Sequence, residues 1–231
     1  MKIKETNNNG TNLRFTKWEE IANTISHLVW LIFGIVATVL MVVKSCHIWN
    51  AYHIVWASIY WFWLILLYCS STLNHALPSN SRAKNFFHNF DQIAIYFLIA
   101  GTYTPIALVW IRDVWWRVLF WLQRGFALTW IILKIFMPNK FEKWVNTFIV
   151  ISYAFMWWML LYFLYPLLDK IPPMGLWWIF IWWGLYTLWI LAFKLEHIKY
   201  MHLIRHLAVL AGSVCHWIAI MRYILPIWGS C

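Results

Sequence analysis

The sequence predicts an all-α integral membrane protein, a bundle of seven transmembrane helices with its N-terminus in the cytoplasm. Three observations predict it. Of 231 residues, 63% are hydrophobic and only 11% are charged, against about 25% charged in soluble domains. The apolar residues fall in long blocks, each near the ~20 residues needed to cross a bilayer. The lysines and arginines sit mainly between these blocks, biased to one side, as membrane topology requires. The net charge of +10 is therefore assigned to topology and anionic headgroups. Membrane lipids are the expected partners and no nucleic acid is expected. Oligomeric state is left open.

Taken in order, residues 1–16 are polar and Asn-rich, which predicts a disordered cytoplasmic tail. Residues 17–231 form one domain. The first apolar block starts near Ile21 and runs about 22 residues without a small-residue cleavage site. It is too long for a signal-peptide core and reads as a retained helix. The seven helices are placed at about 21–43, 54–77, 91–110, 114–137, 144–165, 173–193 and 203–228. Pro78-Ser79-Asn80, Pro138-Asn139 and Pro172-Pro173 are turn signals between them. Arg117, Gln123 and Arg124 interrupt the fourth block, and polar groups at such depth are expected to face the bundle interior or mark function. With Arg124 left mid-helix, 12 basic residues fall on one side and 5 on the other. The N-terminus is thus inside and the C-terminus outside a multi-pass protein of the inner (plasma) membrane.

Cys46, Cys69, Cys215 and Cys231 form no Cys-x-x-Cys pair and read as packing residues. The 21 tryptophans include the pairs Trp157-Trp158, Trp177-Trp178 and Trp182-Trp183, and are expected to form bulky lipid-facing surface.

This topology decides which polar residues can meet. The second helix ends on the cytoplasmic side with Ser71 and His75. The third begins there with Asp91, and the seventh with His202 and His206. Ser71 with His75, and His202 with His206, are i, i+4 pairs that share a helix face. Three imidazoles without a cysteine suit Zn²⁺ better than a hard ion. The plainer readings stand beside this one. The His-x-x-x-His pair also fits solvated surface, Asp91 a helix-start carboxylate, and Ser71 a packing serine bonded to its own helix. His27 and His216 are read as interhelical hydrogen-bonding groups. His216 lies ten residues beyond His206, ~15 Å along the axis, and cannot share its ion.

Four pieces carry a resemblance. They are Glu19-Glu20-Ile21-Ala22-Asn23-Thr24-Ile25-Ser26-His27, Ser70-Ser71-Thr72-Leu73-Asn74-His75-Ala76-Leu77, Asp91 with Leu98-Ile99-Ala100-Gly101-Thr102-Tyr103-Thr104-Pro105, and His202-x-x-x-His206 followed by Val209-Leu210-Ala211-Gly212-Ser213-Val214-Cys215-His216. In this order they resemble the bacterial hemolysin III group of the progestin and adipoQ receptor family. The resemblance implies a seven-helix, receptor-like bundle with zinc on His75, His202 and His206, and with Asp91 and Ser71 beside a catalytic water. Asn74 departs from the pattern, where Tyr is common. Trp61, Trp130 and Trp189 stand where a small residue is expected. The family also resembles alkaline ceramidases at these residues, which implies a zinc-dependent hydrolase of lipid amide or ester bonds. The alternatives are a zinc-stabilised regulator or receptor of membrane lipid state, and a pore-forming cytolytic protein.

Overall fold

The computed structural model describes residues 15–47, 51–78, 81–105, 114–136, 142–163, 165, 168–169, 171–192, 195 and 198–224. The tail over residues 1–14 and the C-terminal end lie outside them. The described residues hold seven α-helices: α1 (Lys17–His47), α2 (Ala51–Ala76), α3 (Arg82–Pro105), α4 (Val114–Phe136), α5 (Glu142–Trp158), α6 (Pro173–Ala192) and α7 (Met201–Ala219). A 3₁₀ turn, Met159–Phe163, continues α5, and a π turn, Ile220–Ile224, continues α7. Each helix packs on its neighbour in the chain, and α7 returns to α1, so the bundle closes into a ring.

Among the described residues, four helices are long and apolar enough to cross a membrane, over Lys17–Lys44, Arg117–Phe136, Pro173–Ala192 and Met201–Tyr223. The protein is a multi-pass membrane protein. Of the seven expected spans, all seven are present as helices and four meet this measure among the described residues, with Thr147–Tyr162, in α5 and its 3₁₀ turn, a shorter apolar stretch. The ends of α2 and α3 that meet at the site carry Ser70, Ser71, Asn74, His75, Asn85, His88 and Asp91. In its span 56% of α7 is buried, against 22% of α1. Thus α7 is far more enclosed than α1, which turns Leu28, Val29, Ile32, Val36 and Val39 outward as a lipid-facing stripe.

Local chemistry explains the helix ends. Thr16 and Glu19 form a capping box on α1, with Glu19 N–H donating to Thr16 Oγ1 at 3.3 Å and Thr16 N–H to Glu19 Oε2 at 2.9 Å. Ser81 caps α3 by accepting the Lys84 N–H at 3.0 Å. Because of that cap, α3 begins at Arg82, nine residues before the expected start at Asp91. The polar turns it adds precede the apolar block from which the helix was read. Asp91 is therefore a mid-helix residue, not a helix-start carboxylate. Pro173 opens α6 at the position where a missing N–H costs least.

Polar groups in the bundle find internal partners, as lipid surroundings demand. Where α5 tightens into its 3₁₀ turn, Tyr103 Oη donates to Met156 O and Trp157 O, both at 2.9 Å, and Gln123 Nε2 donates to Met156 O at 2.8 Å. Arg124 donates to Thr104 Oγ1 at 3.2 Å and lies over the Phe120 ring. Gln123 and Arg124 thus turn inward as expected, whereas Arg117 is exposed. The tryptophans divide. Trp121 and Trp177 face outward, but Trp61, Trp157, Trp182 and Trp189 are core. Trp182 stacks on His216 at 4.3 Å and meets Trp157 edge-on at 4.6 Å. The lipid-facing expectation holds for only part of them, because large flat rings also fill the space between helices.

One close approach is that of α6 to α7. A Cβ at Gly212 would collide with the Tyr186 ring. That ring cannot swing away, since Tyr186 Oη is 3.1 Å from Ser213 Oγ, which also accepts from Tyr68 Oη at 2.8 Å. Gly212→Ala is expected to lower unfolding free energy in detergent by about 1–3 kcal/mol through overpacking. Gly184→Ala, with nothing within 4 Å of the new Cβ, should instead be neutral or stabilise by up to ~1 kcal/mol. Equal effects of the two substitutions would refute this account of the α6–α7 contact.

Candidate metal centre

Three imidazoles meet where α2 and α7 approach the head of α1. One nitrogen each of His75, His202 and His206 lie within 4.8 Å of one another. His75 and His206 are buried and His202 is half-buried. His202 Nε2 and His75 Nε2 are 3.2 Å apart. Two nitrogens bound tetrahedrally at 2.0–2.1 Å would be about 3.3 Å apart, so this spacing suits a shared ion. The other ring atoms agree. His75 Nδ1 is 2.6 Å from Glu20 Oε2, so it carries the proton for that carboxylate. Ser26 Oγ donates to Asn23 O at 2.7 Å, which leaves its oxygen to accept from His206 Nδ1 at 3.3 Å. Both rings then keep their Nε2 lone pair. The cluster could hold a metal ion.

Asp91 and Ser71 come together beside it. Ser71 Oγ donates to Asp91 Oδ2 at 3.4 Å. Asn74 and Arg205 lie close to the same carboxylate. A chamber of about 70 Å³ lies between them. Its polar end is formed by His27, Ser71, Asp91, His202, Arg205 and His206, and its apolar walls include Ile95, Tyr153, Trp157, Tyr186 and Trp189.

The two other histidines part company. His216 is buried, with Nδ1 2.9 Å from Tyr60 Oη, an interhelical bond as expected. His27 makes no such bond. Its ring lies edge-on to His206 at a centroid distance of 3.8 Å, and among the described residues neither of its nitrogens has a hydrogen-bond partner. It belongs to the chamber wall.

Several site residues escape sequence reasoning. Glu20 and Ser26 lie on α1, inside the first piece of the family resemblance, yet neither is read there as a site residue. The usable signal was the Thr16-x-x-Glu19 capping box, which places Glu20 in a first helical turn. Phe15, buried, packs its ring against His202 at 4.7 Å. Arg205 counts as a topology-setting cation in the sequence yet is buried beside the chamber.

Fold and site together define a multi-pass, all-helical membrane protein with a tri-histidine cluster between its first, second and last helices. The chain belongs to the Haemolysin-III related family, whose pattern matches residues 15–217. It is 32% identical to Hemolysin-3 of Bacillus cereus over 208 residues, 90% of this chain and 93% of that one. It is 31% identical to the Hemolysin-3 homolog of Bacillus subtilis (strain 168) over 213 residues, 92% of this chain and 98% of that one. No solved structure matches it.

The geometry predicts uptake of one divalent ion per chain. His75→Ala, His202→Ala and His206→Ala should each strip most of it, and His216→Ala should not, by elemental analysis of purified protein. Full retention in the His202→Ala, His206→Ala double variant would remove the site.

Proposed function

We propose that the protein is a zinc-stabilised regulator or receptor of membrane lipid state, in which the ion clasps α2 to α7. The carrying observation is the convergence of α1, α2 and α7 on the three imidazoles, each helix contributing ligands or the groups that orient them. A donor set of three imidazole nitrogens suits zinc, whereas calcium and magnesium take oxygen ligands. The chamber supports this reading too. At about 70 Å³ it is below the ~150 Å³ that admits one benzene, so no lipid chain enters without movement of the walls. The motif-level likeness to progestin and adipoQ receptors is part of the proposal, as is an orientation with the N-terminus and metal cluster on the cytoplasmic side. The 12 to 5 bias of basic residues motivates that orientation. Reporter fusions to intact protein should place the C-terminus outside; a cytoplasmic C-terminus would reverse it.

A second reading, a hydrolase of lipid amide or ester bonds, is favoured by one observation. Asp91 and Ser71 line the same chamber as His202 and His206. Zinc, when bound, supplies Lewis acidity. Asp91 would accept the proton of the attacking water, and Ser71 Oγ–H would turn from Asp91 to donate to the developing oxyanion. Cytolysis rests on names, that of the family and those of the two Bacillus relatives.

One experiment separates the readings. Zinc-replete wild-type protein is presented with a panel of short- and long-chain lipid amides and esters, and with erythrocytes. The regulator reading expects neither turnover nor lysis above background, with His75→Ala lowering thermal stability. Turnover that falls by ~10²–10⁴ in Asp91→Asn, with zinc retained, would establish the hydrolase instead. Lysis by purified protein would establish the cytolysin.

A further inference from the structure

We propose that Glu20 is the positioning residue of the metal centre, and that its carboxylate, held in turn by Lys84, sets how tightly the three histidines bind their ion. The inference rests on the reading that His75, His202 and His206 hold zinc.

Glu20 lies in the first turn of α1, which contributes none of the three histidines. Its two oxygens serve two other helices. Oε2 is 2.6 Å from His75 Nδ1 on α2, and Oε1 accepts from Lys84 Nζ on α3 at 2.9 Å. Lys84 Nζ also donates to Leu77 O, at the end of α2, at 3.3 Å. The lysine is therefore anchored to the same turn that carries His75 toward the cluster. The His75 side chain is only 3% exposed, and those of Glu20 and Lys84 are 24% and 17% exposed. The contact thus sits on the dry side of the imidazole, with a partly wetted ion pair behind it.

Two consequences follow from this chemistry. A carboxylate accepting the Nδ1 proton fixes the tautomer, so Nε2 presents its lone pair toward His202 Nε2 at 3.2 Å. It also makes the ring more electron-rich, hence a better ligand. A carboxylate left alone at this depth would be costly and free to turn; the Lys84 ammonium on the second oxygen offsets the charge and locks the orientation. An ion pair serving only to staple α1 to α3 would not need its other oxygen at 2.6 Å from a metal-site histidine.

The test compares wild type with Glu20→Gln, Glu20→Ala and Lys84→Ala as full-length protein in detergent. Zinc affinity is measured by competition with a chelator of known affinity, and thermal unfolding of the stripped proteins is measured beside it. Glu20→Gln keeps the shape and an acceptor oxygen, so it should fold like wild type yet bind zinc about 10–100-fold more weakly, the usual effect of removing such a partner. Glu20→Ala should be as weak or weaker, and Lys84→Ala should show a smaller loss in the same direction. Zinc affinity within twofold of wild type in Glu20→Gln would overturn the proposal. So would a shift in unfolding of the stripped protein with affinity unchanged, which marks a structural staple. If Glu20→Ala does not fold, Glu20→Gln decides. Wild-type protein that takes up no zinc would instead overturn the metal reading beneath it.

Discussion

Adjacent carboxylates at the head of α1 hold the site together. Successive helical residues point about 100° apart, so Glu19 and Glu20 reach different neighbours. Glu20 goes to His75 on α2. Glu19 Oε1 accepts the Tyr200 N–H at 3.0 Å, at the entry to α7. Tyr200 has φ of 60°, a left-handed conformation that costs a residue with a Cβ of order 1–3 kcal/mol. The Glu19 carboxylate compensates by accepting the N–H this conformation exposes. Two residues after that bend comes His202. The two helices that supply all three histidines are thus aligned by side chains of one turn of a third helix, whose own start is fixed by the Thr16–Glu19 capping box.

The same internal accounting runs through the bundle. Lipid offers no hydrogen bonds, so backbone freed by irregular geometry needs a protein partner. Tyr103 and Gln123 supply it where α5 becomes 3₁₀, and Lys44 Nζ donates to Met221 O at 2.6 Å where α7 becomes π. Ser213 gathers two tyrosine hydroxyls from α2 and α6 onto α7. Aromatic rings then fill what these ties leave open, which is why Trp61, Trp157 and Trp182 are core rather than lipid-facing.

Sequence periodicity located the helices because each apolar block is long and its ends are marked by proline or charge. It misplaced the start of α3, where Ser81 caps a polar turn that hydrophobicity cannot register. The site was legible where it rests on i, i+4 spacing within one helix, as in Ser71 with His75 and His202 with His206. Basic-residue bias then brought the two helix ends to one side. What stayed hidden was tertiary. Glu20 and Ser26 matter only through the imidazoles they touch on other helices, and no pattern internal to α1 displays that. His27 failed for the opposite reason. It is expected to bond another helix, while its actual surroundings are the ring of His206 and the chamber.

The chamber's walls differ in how firmly they are held. Its polar end belongs to α1, α2, α3 and α7, tied by Glu20, Lys84, Ser26 and the Ser71–Asp91 bond. These contacts fix the donors to within hydrogen-bond geometry and leave little freedom to widen the space. Its far walls are large rings, among them Tyr153 and Trp157 of α5 with Tyr186 and Trp189 of α6. Tyr153 Oη donates to Gln92 O at 2.6 Å and Trp157 Nε1 to Trp183 O at 3.2 Å, single bonds at the rim of otherwise apolar surfaces. Turning Tyr153 or Trp157 sacrifices one hydrogen bond and some packing, whereas Tyr186 is held on Ser213 Oγ at 3.1 Å and a shift at the polar end breaks several polar contacts at once. The α5 wall, with Tyr153 and Trp157 close to the 3₁₀ turn, is therefore less firmly tied than the polar end.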